Sequence, residues 1–496
     1  MLLQSYAIGY LGELYTASAQ RDDALAATRK ALFLAQQARS PDATFKFQWQ
    51  LARLLRTENR AAALDAYRRA LVALRGIRHD IAISMGSRNP KKSFRTQVGP
   101  IFYETADLLL RGAERIENPE QSLAALKEAR DTIEQLKSAE LEDYFQDDCV
   151  NLIKEKARGV DVGLVRTAVV YVIPLPDRTE LLVSTPAGLS RRVSPATSDQ
   201  IAAEARELRL RLEDELDYGY RQHARQLYAW LIAPIEQALI SEGIDTLVFV
   251  PDGELRTVPM GALFDGKQHL IEKFAVAIVP GLSLTDPQPL AARSKVEVLA
   301  AGLSESRQNF PALPAVPEEL SRISTMYGGV KLVDEQFQRS RFARQFSGES
   351  YTIVHIASHG QFKGDAKDTF VLTYEDRLNL NDLEKLIQPS QFRGAPVELL
   401  TLSACQTAAG DDGARAALGL AGVAIKAGAR SALATLWSVN DAASTELIGG
   451  FYRRLREDSS VTKAQALRAA QIELLRQPRY RHPRYWAPYL IIGNWM

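Results

Sequence analysis

The chain has 496 residues, of which 46% are hydrophobic and 24% charged, as is usual for a globular protein with two or three domains. Its net charge is +1, so no general attraction to nucleic acid or to a membrane surface is expected. Two cysteines, Cys149 and Cys405, exclude a disulfide framework. The opening residues make a poor signal peptide and no apolar run could span a bilayer, so we expect a cytoplasmic protein.

The first part of the chain contains a repeat. Residues 22–35 and 60–74 share the pattern A-L-x-A-x-R-[KR]-A-L, and each copy follows another amphipathic segment. Paired helices with small residues at their contacts resemble tetratricopeptide (TPR) repeats, although two generic helical hairpins fit as well. We predict TPR-like helical repeats at 1–80 and a helical connector at 81–160. The repeat begins almost at Met1, which leaves open whether the chain is an N-terminally truncated fragment.

From about Arg166 the hydrophobic period becomes that of strands. Two apolar runs separated by Pro176 and Asp177 predict a β-hairpin. Further short apolar runs alternate with helical patterns, and we predict strands at 246–251, 274–280, 295–303, 351–358, 397–405, 429–437 and 487–493. This alternation is typical of a mainly parallel sheet covered on both faces. Residues 161–496 are therefore predicted to form an α/β domain.

Two of these strands are predicted to end in reactive residues, His359-Gly360 and Cys405. Because the carboxyl ends of parallel strands meet at one edge of a sheet, the imidazole could take a proton from the thiol. The backbone N–H groups of Gly360 and Cys405 are candidate donors to an oxyanion. A histidine or cysteine at a strand end can also be a packing residue. We expect Cys149, which lies on a helical pattern, to be a packing residue because neighbouring acidic charges disfavour its thiolate.

The segments HIASHG (355–360) and LSACQT (402–407) closely resemble the CHAT peptidase family, whose caspase-like domains occur with TPR repeats. Further similar segments follow in the same order as in the family, at 251–263, 313–323, 419–441 and 484–493. The resemblance implies a caspase-type α/β fold and an acyl-enzyme mechanism of peptide cleavage. It implies Cys405 as nucleophile, His359 as general acid/base, Gly360 and Cys405 as the oxyanion hole, and no metal or cofactor.

The resemblance also bears on substrates and partners. Relatives act in bacterial defence and programmed cell death on gasdermin-like or other protein targets, which implies a protein substrate and a regulatory protein bound through the TPR-like region. Asp441 and Asp412, close to the predicted strand ends, would favour arginine or lysine before the scissile bond. Asp441 fits equally well as the N-cap of the next helix. A catalytically silent TPR/CHAT scaffold is the alternative function, although both dyad positions are intact.

Overall fold

The computed structural model describes residues 1–85, 94–145, 164–290, 296–363, 368–392, 396–407 and 413–496. The chain forms two compact units, Met1–Gln146 and Asp147–Met496. The first is all-helical and the second combines helices with one large sheet. The predicted order, an all-α region followed by an α/β domain, is confirmed. The bounds of the three predicted regions stay a prediction.

Helices make up the described part of the first unit. They are α1 (Leu2–Ala17), α2 (Arg21–Gln37), α3 (Pro41–Leu55), α4 (Arg60–Met85), α5 (Phe94–Gln97), α6 (Pro100–Ala113) and α7 (Pro119–Phe145). The small residues that define the repeat, Ala24, Ala31, Ala63 and Ala70, are fully buried. They allow the helices to approach closely, as both TPR repeats and generic hairpins require.

Two glycines allow α1 to lie close to the neighbouring helices α2 and α3. A Cβ atom added to Gly9 of α1 would lie 1.9 Å from a ring carbon of Phe47 in α3, and one added to Gly12 would lie 2.9 Å from Thr28 Oγ1 in α2. Real Cβ atoms do not come so close, so a larger residue at either site would force the neighbouring side chains to move.

In its described residues, the second unit is built on a thirteen-stranded sheet. Its strands are β1 (Thr167–Pro174), β2 (Thr179–Thr185), β3 (Gly188–Ser194), β4 (Thr246–Val250), β5 (Ala275–Ile278), β6 (Val298–Gly302), β7 (Val330–Val333), β8 (Ile353–Phe362), β9 (Phe370–Leu372), β10 (Arg377–Asn379), β11 (Leu399–Thr407), β12 (Ser431–Thr435) and β13 (Tyr489–Gly493). The order is β10-β9-β8-β11-β12-β13-β5-β4-β1-β2-β3, and β6 pairs with β7 and β8. The central pairings are mainly parallel, as predicted, whereas β12 and β13 are antiparallel.

The helices of the second unit surround this sheet. They are α8 (Ser198–Leu212), α9 (Tyr220–Leu231), α10 (Ala233–Ser241), α11 (Leu270–Lys273), α12 (Val316–Tyr327), α13 (Arg339–Gly348), α14 (Leu380–Phe392), α15 (Gly413–Ala421), α16 (Val423–Ala427), α17 (Asp441–Glu457) and α18 (Lys463–Leu475). Strands β4, β12 and β13 are buried along their whole length, which explains their continuous apolar sequences.

The two strands that carry the candidate dyad extend beyond their predicted ends. We expected β8 to end at Ser358 and β11 at Cys405, but they continue to Phe362 and Thr407. The extension has a partner, because β9 pairs antiparallel with β8 at Gly360 and Gln361. His359 and Cys405 therefore lie within their strands and not beyond the strand ends.

Candidate active site

Strands β8 and β11 are parallel neighbours, and their register changes at the candidate site. Ala357 is paired with Ser403, and the next pair along the strands is Gly360 with Cys405. Between these pairs β8 has two residues and β11 has one, which is the definition of a β-bulge. His359 is one of the two residues of the bulge. The structure thus brings the backbone of Cys405 opposite Gly360 and next to His359.

Two consecutive side chains at the bulge, those of Ser358 and His359, lie in different environments. The Ser358 hydroxyl is buried and donates to the carbonyl of Leu372 in β9 (2.7 Å). His359 is only half-buried, and its Nε2 lies 2.8 Å from the carbonyl oxygen of Pro311. Because a carbonyl oxygen only accepts, Nε2 must carry the hydrogen. In the neutral imidazole Nδ1 then has the lone pair, so it is the nitrogen that can act as a base.

An aromatic ring covers His359 as well. The Phe310 ring stacks on the imidazole, with centroids 5.1 Å apart and planes inclined by 29°. Burial lowers the pKa of His359 below its ordinary value of 6.5, although the Pro311 carbonyl and the Asp441 carboxylate act in the opposite direction. Lowering this pKa keeps the imidazole neutral near pH 7, as a general base requires.

Asp441 lies close enough to His359 to interact with it electrostatically. Its carboxylate accepts a hydrogen bond from the N–H of Ala315 (2.6 Å), and burial raises its pKa. The N-cap of α17 is Asn440, whose side chain accepts from the N–H of Ala443 (3.0 Å). The alternative that Asp441 is itself the N-cap is therefore wrong. Asp441 is the first helical residue, and it links α17 to the segment before α12.

Comparison with known proteins assigns the family. The sequence profile of the CHAT domain matches residues 221–494, more than half of the chain. The chain belongs to the CHAT family. Tetratricopeptide repeat protein 28 of Mus musculus is 25% identical over 327 residues, and its human counterpart is 24% identical over 324. Each match covers 54% of this chain but only 13% of the relative.

Two solved structures have a partial similarity to the chain. Separase in its complex with securin from Saccharomyces cerevisiae has a TM-score of 0.47 and 9% identity, over 99% of this chain and 47% of separase. Gingipain R, an Arg-specific cysteine proteinase, has a TM-score of 0.37 and 11% identity, over 60% of this chain and 74% of the proteinase.

A chain of buried polar groups lies within the CHAT domain. His355 Nε2 is 2.8 Å from Glu319 Oε1 of α12, and His355 Nδ1 is 3.2 Å from the Tyr452 hydroxyl of α17. The same hydroxyl is 2.7 Å from Thr401 Oγ1 of β11. These four residues are almost completely buried and join both dyad strands to the helices on that face. Glu319 and Tyr452 were not identified from the sequence, because no local feature of the sequence indicates which strand their side chains contact.

Arg209 of α8 supports the end of β12 and lies outside the matched residues 221–494. Its guanidinium donates to the carbonyl oxygens of Leu436 (2.7 Å) and Thr257 (3.2 Å), and lies 4.7 Å from the ring of Trp437. These contacts fix the segment between β12 and Asp441. An arginine on an amphipathic helix gives no sequence signal for this contact, because such residues usually face solvent.

Two of the residues singled out in the sequence, Cys149 and Asp412, lie outside the described residues. Within the described ranges, no three histidine, cysteine or acidic side chains are grouped so that they could hold a metal ion. In the same ranges no helix is both long and apolar enough to cross a membrane.

Proposed function

We propose that this CHAT protein is a cysteine endopeptidase, with Cys405 as nucleophile and His359 as general acid/base. The observation that carries the proposal is the bulge, which brings His359 beside the backbone of Cys405. The Pro311 carbonyl accepts from Nε2–H of His359, so Nδ1 is the nitrogen that can act as the base. Membership of the CHAT family supports it.

The proposed reaction uses groups of the chain itself. His359 accepts the thiol proton, and the thiolate of Cys405 attacks the peptide carbonyl. The backbone N–H groups of Gly360 and Cys405 donate to the oxyanion that develops. The imidazolium then returns its proton to the departing amine, and water hydrolyses the acyl-enzyme with His359 again as base.

Labelling with a peptide-based thiol electrophile tests this proposal in the full chain. We expect modification at Cys405, its loss in Cys405→Ala, and no change in the matched control Cys149→Ala. His359→Ala should slow labelling by about 10²-fold or more, because a positioned general base contributes about 10²–10⁴-fold. The silent-scaffold alternative predicts instead that Cys405 reacts at the rate of an ordinary thiol and that His359→Ala changes nothing.

We further propose that Asp441 directs cleavage to peptide bonds after arginine or lysine. Its half-buried carboxylate interacts electrostatically with His359, and Asp441 follows β12 in the chain. Asp441→Asn keeps an oxygen that accepts from Ala315 N–H but removes the charge. It should lower kcat/KM for an arginine peptide at least about tenfold more than for a leucine peptide, the loss expected for one charge-assisted contact, because any effect on His359 applies to both peptides. Preferred cleavage after aspartate would contradict this. For Asp412 the same proposal rests on sequence alone.

The setting of the reaction is also a proposal. We propose a protein substrate, such as a gasdermin-like protein, in bacterial defence or cell-death signalling in the cytoplasm. A regulatory protein would bind the TPR-like region, and the exposure of Leu3 (86%), Tyr10 (49%) and Leu14 (65%) on α1 supports an interaction surface there. Mapping new protein N-termini in cells with wild type and with Cys405→Ala would identify the substrate. Identical maps would contradict the proposal.

A further inference from the structure

The segment between β6 and α12 passes directly over His359. Gly302, the last residue of β6, is paired with Ala357 of β8, and the N–H of Leu303 donates to the Ala357 carbonyl (3.0 Å). The chain therefore leaves β6 two residues before the position of His359 on the neighbouring strand. Residues 304–314, which follow, are called the 304–314 hairpin below.

A tight turn forms the tip of this hairpin. Gln308 and Asn309 have φ values of 47° and 67°, both in the left-handed region, and the N–H of Phe310 donates to the Arg307 carbonyl (2.8 Å). Two consecutive residues with positive φ are typical of the two-residue turns that connect antiparallel strands. Asparagine tolerates this conformation well. The turn reverses the chain, so Phe310 is the first residue of the returning arm of the hairpin and lies opposite Arg307.

Contacts hold the hairpin at its base and near its tip. The N–H and hydroxyl of Ser304 both donate to the Asp334 carboxylate (2.7 Å each), and the N–H of Leu313 donates to the Ser304 carbonyl (2.8 Å). The guanidinium of Arg307 lies 3.9 Å from the centre of the Tyr374 ring. The hairpin is thus fixed at its base and near its tip.

Two consecutive residues of the hairpin contact the imidazole in different ways. The Pro311 carbonyl accepts from Nε2, and the Phe310 ring lies against the face of the ring at 5.1 Å. Phe310 is itself half-buried and packs edge-on against Phe370 of β9 (6.3 Å). One hydrogen bond alone leaves the imidazole able to rock about that bond, because the histidine χ2 torsion has a broad energy well. A stacked ring removes this freedom.

We propose that Phe310 is a positioning residue for His359, which holds the plane of the imidazole and excludes water from one of its faces. The contact itself does not depend on any activity. Its consequence for catalysis rests on the proposed function, in which Nδ1 must stay aimed at the thiol of Cys405. Misplacing a catalytic group by a fraction of an ångström slows a reaction without weakening substrate binding.

Histidine NMR of the full chain tests the contact directly. The Cε1–H signal of His359 is assigned by its loss in His359→Gln. In Phe310→Ala this signal should titrate at a higher pH than in the wild type, closer to the ordinary pKa of 6.5, because burial lowers the pKa of His359 in the wild type. Phe310→Tyr, which keeps the ring, should titrate like the wild type. The control Phe33→Ala, at a side chain that is 57% exposed on α2, should have no effect. An unchanged titration in Phe310→Ala would overturn the proposal.

Kinetics then separate this proposal from the proposed function. In Phe310→Ala we expect kcat for a peptide to fall about two- to tenfold, the factor that corresponds to one aromatic pair, with KM nearly unchanged. Phe310→Tyr should restore kcat. If the His359 titration shifts but kcat does not change, Phe310 contacts His359 without positioning it for catalysis, and the positioning role is wrong. If the titration shifts but the wild type neither cleaves a peptide nor is labelled at Cys405, the contact stands and the proposed function is wrong. If KM alone rises, Phe310 contacts substrate and the positioning role is wrong.

Discussion

Among the single residues of the candidate site, His359 depends most on its surroundings. Sequence alone placed it just after the end of a strand that could lie next to that of Cys405, because apolar runs and their order are local information. The bulge that carries it, and the carbonyl and ring that hold it, could not be predicted. The bulge depends on pairing with β11, and the ring and the carbonyl belong to residues some fifty positions earlier in the chain, Phe310 and Pro311. The Gln308-Asn309 turn was the available signal, since asparagine often adopts positive φ.

The buried hydroxyl of Tyr452 gives a prediction about stability. Tyr452→Phe should lower the free energy of unfolding by about 1–3 kcal/mol, because it leaves two buried polar groups, His355 and Thr401, without that partner. Denaturant unfolding measures the change. Tyr218→Phe, at a ring that is 54% exposed, is the matched control and should be neutral. Equal stability of all three proteins would show that the Tyr452 hydroxyl contributes nothing.

For the helices and strands, prediction succeeded where periodicity was strong and failed where pairing decides the structure. The fully buried strands β4, β12 and β13 read as apolar runs. The edge strand β3 alternates between exposed and partly exposed residues, so it gives no hydrophobic signal, and it was missed. Its position follows from pairing with β2. The start of α17 differs by one residue for a similar reason, because Asn440 and Asp441 are both good caps by residue type.

The packing of α1 gives a prediction for the helical unit. Gly9→Ala should lower the stability of this unit by about 1–3 kcal/mol, because the added methyl group would overlap the Phe47 ring. Hydrogen exchange of the α1 amides should become faster. Gly76→Ala in α4 is the matched control: a Cβ atom there has nothing within 4 Å, and the change should stabilise the helix by up to about 1 kcal/mol. Slower or unchanged exchange in Gly9→Ala would contradict this packing.

At the scale of the whole molecule, three histidines of the described residues affect how stability responds to mild acid. Burial lowers the pKa values of His269, His359 and His482 below 6.5 in the folded protein. The unfolded chain therefore binds more protons just below pH 6.5, so their contribution is complete above that pH and is lost as the pH falls. Raised pKa values of Glu398 and Asp441 have the opposite sign, because for these groups the folded protein binds more protons than the unfolded chain.

Unfolding free energies measured at about pH 7.5 and pH 5.5 test this dependence. The wild type should be less stable at the lower pH. The signal can come from tryptophan fluorescence, because the Trp486 ring lies 5.2 Å from that of His269. In the double variant His269→Gln/His482→Gln the difference between the two pH values should become smaller. A larger difference in the variant would contradict the assigned direction of the pKa shifts.

Peptide cleavage by the full chain tests the proposed function most directly. Using a library of fluorogenic peptides, kcat/KM is measured for wild type, Cys405→Ala, His359→Ala and Cys149→Ala. We predict cleavage by wild type and Cys149→Ala at equal rates, none above background by Cys405→Ala, and a loss of about 10²-fold or more in His359→Ala. Cleavage that survives Cys405→Ala, or no cleavage by wild type of any peptide in the library, would contradict the proposed Cys405–His359 peptidase.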